Sequence, residues 1–280
     1  MHKQLLAMCD THCSVARMNF FSINFKAPYN DTLQGMLLPH LVFSSIYHNR
    51  KNAWGKVMLP SPERLGEFWK LQTKHPSYKN NPSLRDNPQF AQKLIPLSLH
   101  GDGTPVVGVG KIWSRQLTIF SFNSHLGLGT AKDMQLHIWS FFDETQSERT
   151  LPEFFKILAW SFKWLQKGKH PDENHLGQKY PACSQEGRLA NTDLADGYCG
   201  ILWSLVGDLE YMYKVLQLPH YANKNNPCAL CRCTGGAEDV SWKDCRLTAP
   251  WLQTLWTPSQ FLWWHSAFFL NHMSNTIEIV

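Results

Sequence analysis

Residues 97–110, LSLHGDGTPVVGVG, decide how this chain folds. Leu97 and Leu99 begin an apolar run that leads to Asp102, set between Gly101 and Gly103. Asp and Gly are the residues of tight turns, and D-G is a common turn dipeptide, so the stretch taken alone reads as a turn that closes a strand. The other reading is a metal-binding carboxylate held at the mouth of a sheet. The flanking sequence must choose between them.

Downstream of Lys93 the pattern is regular. KLIPLSLHG reads as a first strand, LTIFSFNS (117–124) as a second and MQLHIWSFFD (134–143) as a third. TLPEFFKILAWSFKWLQKGK then reads as a helix, with Leu151, Phe154, Phe155, Leu158, Phe162 and Leu165 on one face. Thr150 and Glu153 are spaced as a capping box, and Gly168 marks the helix end. After a polar connection, YCGILWSLVGD reads as a fourth, central strand, and DLEYMYKVLQL as a second helix. Three consecutive strands predict an antiparallel meander. The intervening helix lets the fourth strand lie parallel to the first. The predicted class is therefore α/β (α+β), a mixed sheet flanked by helices.

This order puts Asp102 and Asp208 each at the end of a strand, on neighbouring parallel strands about 4.8 Å apart. Two carboxylates so close repel unless a cation lies between them. Hard oxygen ligands suit Mg²⁺ or Mn²⁺, and a pair of such ions activates water and stabilises a leaving oxygen in phosphodiester chemistry. Asp208 also reads as the N-cap of the helix that follows, and the two roles are compatible.

The cysteines point to a second centre. PCALCRC supplies Cys228, Cys231 and Cys233; Cys245 follows in WKDCR, and His220 precedes in LPHY. C-x-x-C brings two thiolates of one tight turn to a tetrahedral Zn²⁺, and two further ligands close the site. The expected set is Cys228, Cys231 and Cys245 with Cys233 or His220; free thiols in a loop are the alternative. A thioredoxin-type motif fits less well, because no helix begins at the first cysteine. Cys9, His12 and Cys13 are close together but lack a second ligand pair, and read as incidental.

Residues 1–92 are less regular. LLPHLVFSSIYH fits a short helix or a strand equally. SPERLGEFWKLQTKHP is a helix, with Ser61 as N-cap, Pro62 at the first position and Leu65, Phe68 and Trp69 as its apolar stripe. PSYKNNPSLRDNPQFAQ (76–92) reads as a linker.

Composition sets outer limits. The chain has 280 residues, of which 43% are hydrophobic and 18% charged, enough to bury a core. Its net charge of +5 permits nucleic-acid binding without demanding it. No run reaches the ~18 apolar residues of a membrane-spanning helix, and the N-terminus lacks the features of a signal peptide. A nuclear or cytoplasmic protein with reduced thiols, and no membrane partner, is the expectation.

The segments IPLSLHGDGTPVVGVGKIWS, YCGILWSLVGDLEYMYKVLQLPHY, NNPCALCRC and WKDCRLTAPWL resemble transposon-derived proteins found in many copies in protist genomes. They are similar also to the wider DDE/D transposases, including the CACTA- and Plavaka-like groups. The resemblance covers roughly residues 93–255. It implies a ribonuclease H-like fold, a DNA partner and metal-dependent phosphodiester cleavage with strand transfer, and it matches Asp102 and Asp208 to the first two acids of the catalytic triad. The third acid and a D-x-x-H-like motif are not found. Glu278 comes too soon and in another context, and the chain reads as truncated or frame-shifted after about Trp256. The expected organisation is an N-terminal helical and irregular region with linker (1–92), an incomplete ribonuclease H-like core (93–220), a Cys-rich zinc insertion (221–256) and a divergent tail (257–280). The expected function is that of a catalytically impaired, transposase-derived DNA-handling protein. The alternatives are a non-catalytic nucleic-acid or protein-binding remnant and a hydrolase of small phosphate esters.

Overall fold

The structure is a computed structural model that describes residues 17–73, 78, 84, 89–107, 115–216, 218–220, 222–225, 227–236 and 240–256. The expectations for Cys9, His12 and Cys13, for most of the 76–92 linker and for the tail with Glu278 lie outside these residues. The chain forms two compact units, one up to Val206 and one beginning at Gly207.

The first unit is mixed α/β. Its principal sheet has four strands: β3 (Leu94–Val107), β4 (Arg115–Ser124), β5 (Leu136–Phe142) and β6 (Cys199–Val206), in the order β5-β4-β3-β6. β3 and β5 pair antiparallel with β4, whereas β6 pairs parallel with β3, from Leu94↔Cys199 to His100↔Val206. The three antiparallel strands and the parallel fourth follow the sequence pattern, but among the described residues β6 is an edge strand and not the central one expected; its apolar faces are covered by α3 on one side and by Trp69 on the other. A smaller hairpin precedes them, β1 (Asn19–Asn24) and β2 (Asp31–Met36).

The turn reading of Asp102 is overturned, and so is its expected place at the end of the strand. β3 runs through the HGDG stretch for 14 residues, and Asp102 sits inside the strand opposite Ile119. The glycines serve the ladder instead of a bend: at Gly103 the Gln116 side chain of β4 occupies the space that a Cβ would need.

Helices cover both faces of the sheet. α1 (Pro39–Asn49) settles the ambiguous LLPHLVFSSIYH as helix, and α2 spans Pro62–Gln72. α3 (Thr150–Lys167) lays its apolar face on the sheet: Phe154 stands 4.5 Å from Phe120 and 4.9 Å from Trp139, ring centre to ring centre. Leu165 of α3 lies against Gly200 of β6. Successive strand residues point to opposite faces, so Leu202 faces α3 and Trp203 faces away. There α2 meets it, with Trp69 at 5.1 Å and its Nε1 donating to the Leu94 carbonyl at 2.9 Å.

The capping box at the start of α3 does not form. The Thr150 hydroxyl donates to the Asn24 carbonyl at 2.5 Å and accepts from the Ser147 amide at 2.9 Å, while Glu153 Oε2 accepts from the Asn24 amide at 2.8 Å. Both side chains tie the helix to the β1–β2 hairpin instead of closing its own first turn. The far end behaves as expected. Gly168 adopts φ +66°, a left-handed conformation that glycine enters without a Cβ penalty, and its amide donates to Leu165 O at 3.1 Å.

Between α3 and β6 the chain makes an excursion with a pinched neck. Lys169 and Asp193 form an isolated bridge, reinforced by their ion pair at 2.5 Å. His170 N–H donates to Thr192 O at 2.8 Å, and Leu194 N–H to Gly168 O at 2.9 Å. The excursion carries the short helix α4 (Gln185–Leu189).

The second unit begins with α5 (Leu209–Lys214) and continues as short, irregular segments, including a 3₁₀ turn at Pro250–Thr254. Among the described residues no helix is long and apolar enough to cross a membrane.

Candidate metal centre

The second unit gathers the thiols of PCALCRC. The sulfurs of Cys228, Cys231 and Cys233 all lie within 4.8 Å of one another. In a tetrahedral zinc site with Zn–S bonds of about 2.3 Å, sulfurs stand about 3.8 Å apart, so small shifts bring these three onto one ion. The arrangement is local in origin. The x-x spacing curls the chain so that the Leu230 amide donates to Cys228 Sγ at 3.3 Å, a contact that supports a thiolate. The other side of the turn is fixed by residues 254–256. Cys231 bridges Leu255, Trp256 N–H donates to Leu230 O at 2.9 Å, and Arg232 N–H donates to Thr254 Oγ1 at 3.0 Å.

The electrostatics fit a cation. Cys231 and Cys233 are buried, and Cys228 is half-buried. Burial pushes the Cys233 thiol up to about 12, and the neighbouring thiols, Cys231 first, push in the same direction. Burial likewise raises Cys231. Three sulfurs so close cannot all become anions without a positive charge among them. A divalent ion supplies it and replaces the protons. Cys228, Cys231 and Cys233 can therefore hold a metal ion such as zinc.

Two other expected ligands are elsewhere in this unit. Cys245 is exposed, outside the group, and its Sγ points to the Lys243 carbonyl at 3.7 Å. His220 is also outside it. Its Nδ1 accepts from the Ala222 amide at 3.1 Å, and its Nε2 lies 3.9 Å from Glu210 Oε2. The spacing of the sequence marks Cys228 and Cys231 but ranks Cys233 only as an alternative beside His220, and it does not show segment 254–256, which pins the turn and carries no metal-binding residue type.

The acidic residues belong to different units and are described separately. Asp102, in the first unit, is half-buried within β3, and its carboxylate makes no hydrogen bond or ion pair among the described residues. By alternation it shares a face of the sheet with His100 and Ser98. Asp208, in the second unit, is the N-cap of α5: its Oδ1 accepts from the Tyr211 amide at 2.6 Å. That cap satisfies an orphan amide of the first turn, as the sequence anticipates.

No protein-family model, no curated protein and no solved structure matches this chain.

Proposed function

We propose that the chain is a transposase-derived DNA-handling protein on a ribonuclease H-like sheet, with zinc at the three-cysteine turn and with impaired, weak cleavage of its own. The observation that carries this reading is the strand order β5-β4-β3-β6, with β6 parallel to β3 after a crossover helix and with Asp102 inside β3. The ancestral reaction of such a sheet is metal-dependent phosphodiester cleavage and strand transfer. Asp102 and Asp208 are the candidate oxygen ligands for Mg²⁺ or Mn²⁺. With no third acid matched in the sequence, the second ion of a two-metal centre lacks an anionic ligand, and cleavage suffers more than binding. Binding depends on Lys and Arg contacts to phosphate.

A second reading, a non-catalytic nucleic-acid or protein-binding remnant, is favoured by one observation: no third acid of the triad is matched in the sequence. One experiment separates the two. The purified chain is titrated into labelled duplex at several salt concentrations, then incubated with Mg²⁺ or Mn²⁺. The proposed reading expects binding that weakens steeply with salt and any residual nicking lost in both Asp102→Asn and Asp208→Asn. Asn still caps a helix, so Asp208→Asn tests metal chemistry without removing the cap. Absence of DNA binding at low salt overturns the proposal; binding with no metal-dependent nicking selects the remnant.

A further inference from the structure

The first unit contains a cavity far from any motif of the sequence. It is open to one side, has a volume of about 110 Å³ and is walled by α1, α3 and the excursion after α3. That is below the about 300–1,000 Å³ of pockets for drug-sized ligands, which limits an occupant to a ring system of about nucleobase size. Leu38, Leu41 and Trp160 give it an apolar floor, and His40, His170 and Tyr180 supply its polar atoms.

His40 is buried, and its Nδ1 lies 2.8 Å from Ser161 Oγ. Ser161 Oγ also faces the His40 backbone amide at 3.4 Å, which can only donate. Among the described residues the Ser161 hydroxyl proton has one acceptor, His40 Nδ1. The ring is therefore the Nε2–H tautomer. Nε2 has no hydrogen-bond partner among the described residues, and the ring lines the cavity. This N–H, on a buried ring, is held ready for an acceptor atom that the described residues do not provide.

The charge of the site is fixed as well. Burial, and then the neighbouring His170, bring the His40 pKa down to about 3, so the ring is neutral at physiological pH. Burial lowers His170 too, and it raises the Tyr180 hydroxyl to about 12, with Glu186 adding to the effect. At the rim, Arg17 Nη1 is engaged by Gln185 Oε1 at 3.0 Å and Glu186 Oε1 at 3.2 Å, which leaves the pair without net charge. A charged ligand would lose its hydration here and gain no counter-ion.

We infer that this cavity is a binding site for an uncharged nitrogen heterocycle of nucleobase size, accepting a hydrogen bond from His40 Nε2–H and lying against Trp160. The chemistry is shared by two sources, a free nucleoside and a base extended from a single strand. The inference stands apart from the proposed nuclease ancestry.

The test uses the full chain and the fluorescent base 2-aminopurine, as its free riboside and within a single-stranded oligonucleotide. Contact with the indole and imidazole rings should quench it saturably. Leu189 lines the cavity on α4 and is 40% exposed, so Leu189→Trp fills the mouth without disturbing the core. It should weaken binding at least about tenfold, or about 1.4 kcal/mol. Adenosine should displace the riboside and benzoate, planar but anionic, should not. Quenching of the riboside assigns a free-nucleoside site; quenching of the oligonucleotide alone, equally sensitive to Leu189→Trp, assigns a strand-borne base. No saturable quenching of either probe, indifference to Leu189→Trp, or displacement by benzoate as effective as by adenosine overturns the inference.

Discussion

Acidification should strip the metal from the three-cysteine turn with a proton count that identifies the ligands. Each thiol that binds as thiolate must first lose its proton, and burial keeps these thiols protonated in the absence of metal, Cys233 with a pKa of about 12. Far below the thiol pKa values, the logarithm of the apparent zinc affinity changes by one per pH unit for each thiolate formed. Three ligands, Cys228, Cys231 and Cys233, give a slope of about three. The sign is that affinity falls as pH falls. From about pH 7.5 to about pH 6.5 it should drop roughly a thousandfold, or about 4 kcal/mol at about 1.36 kcal/mol per unit and thiol. The assay is competition against a chromophoric chelator across that range, corrected for the chelator's own protonation. Cys233→Ser should lower the slope to about two and cost at least about a hundredfold in affinity. Cys245→Ser should change neither, because its sulfur lies outside the group. A slope of about four that returns to about three in Cys245→Ser would refute the three-thiol site. A slope near one, or zinc content unaffected by Cys233→Ser, would refute the centre altogether.

Phe154→Ala should destabilise the first unit by about 3–5 kcal/mol, since it empties the contact among Phe120, Trp139 and α3; a urea melt measures it, and a loss under 1 kcal/mol would show that α3 does not pack this way. Thr150→Val keeps the volume but takes one of two hydroxyl donors from the Asn24 carbonyl, which keeps Ser147 Oγ at 3.0 Å, and removes the acceptor of the Ser147 amide; it should cost about 1–3 kcal/mol. Cys199 is buried, and burial raises its thiol to about 12 in the folded chain, against about 8.5 when unfolded. The folded form holds its proton where the unfolded form has lost it. Its contribution is thus complete below about pH 8.5 and is lost as pH rises toward the folded value, by about 1.4 kcal/mol per unit. Denaturant melts at two alkaline pH values should show this slope, and Cys199→Ala should flatten it.

The strands and the long helix were legible because burial imposes period on sequence. Phe154, Leu158, Phe162 and Leu165 read as one helical face and are that face. The extent of β3 was not legible, because HGDG is turn chemistry locally; the ladder to β4 overrides it, and the reason for Gly103 is a cross-strand Gln116 that no local window contains. The capping box failed for the same kind of reason. Thr150 and Glu153 had the right spacing but found better partners at Asn24, 126 and 129 residues away. The Cys228 and Cys231 pair was legible because its geometry is made by a spacing of a few residues, whereas Cys233 was only one of two alternatives for a further ligand. The isolation of the triplet from Cys245 and His220 was not legible, since that depends on how the later loop returns. His40 and Ser161 meet across 121 residues, and neither lies in a recognisable motif.

The pinched neck at Lys169 and Asp193 sets the terms on which this protein can vary. The chain leaves and re-enters the sheet layer at one place, so what lies between is insulated from the strand register on either side. Lengthening such a loop is cheap, about 0.6 kcal/mol for each doubling. Insertions near Gly177, at the tip and with φ +79°, should be absorbed without loss of the sheet. The same excursion supplies Pro171, Tyr180 and Leu189 to the cavity wall. One interchangeable cassette can thus reshape what the cavity admits, while the elements that hold the fold never register the change.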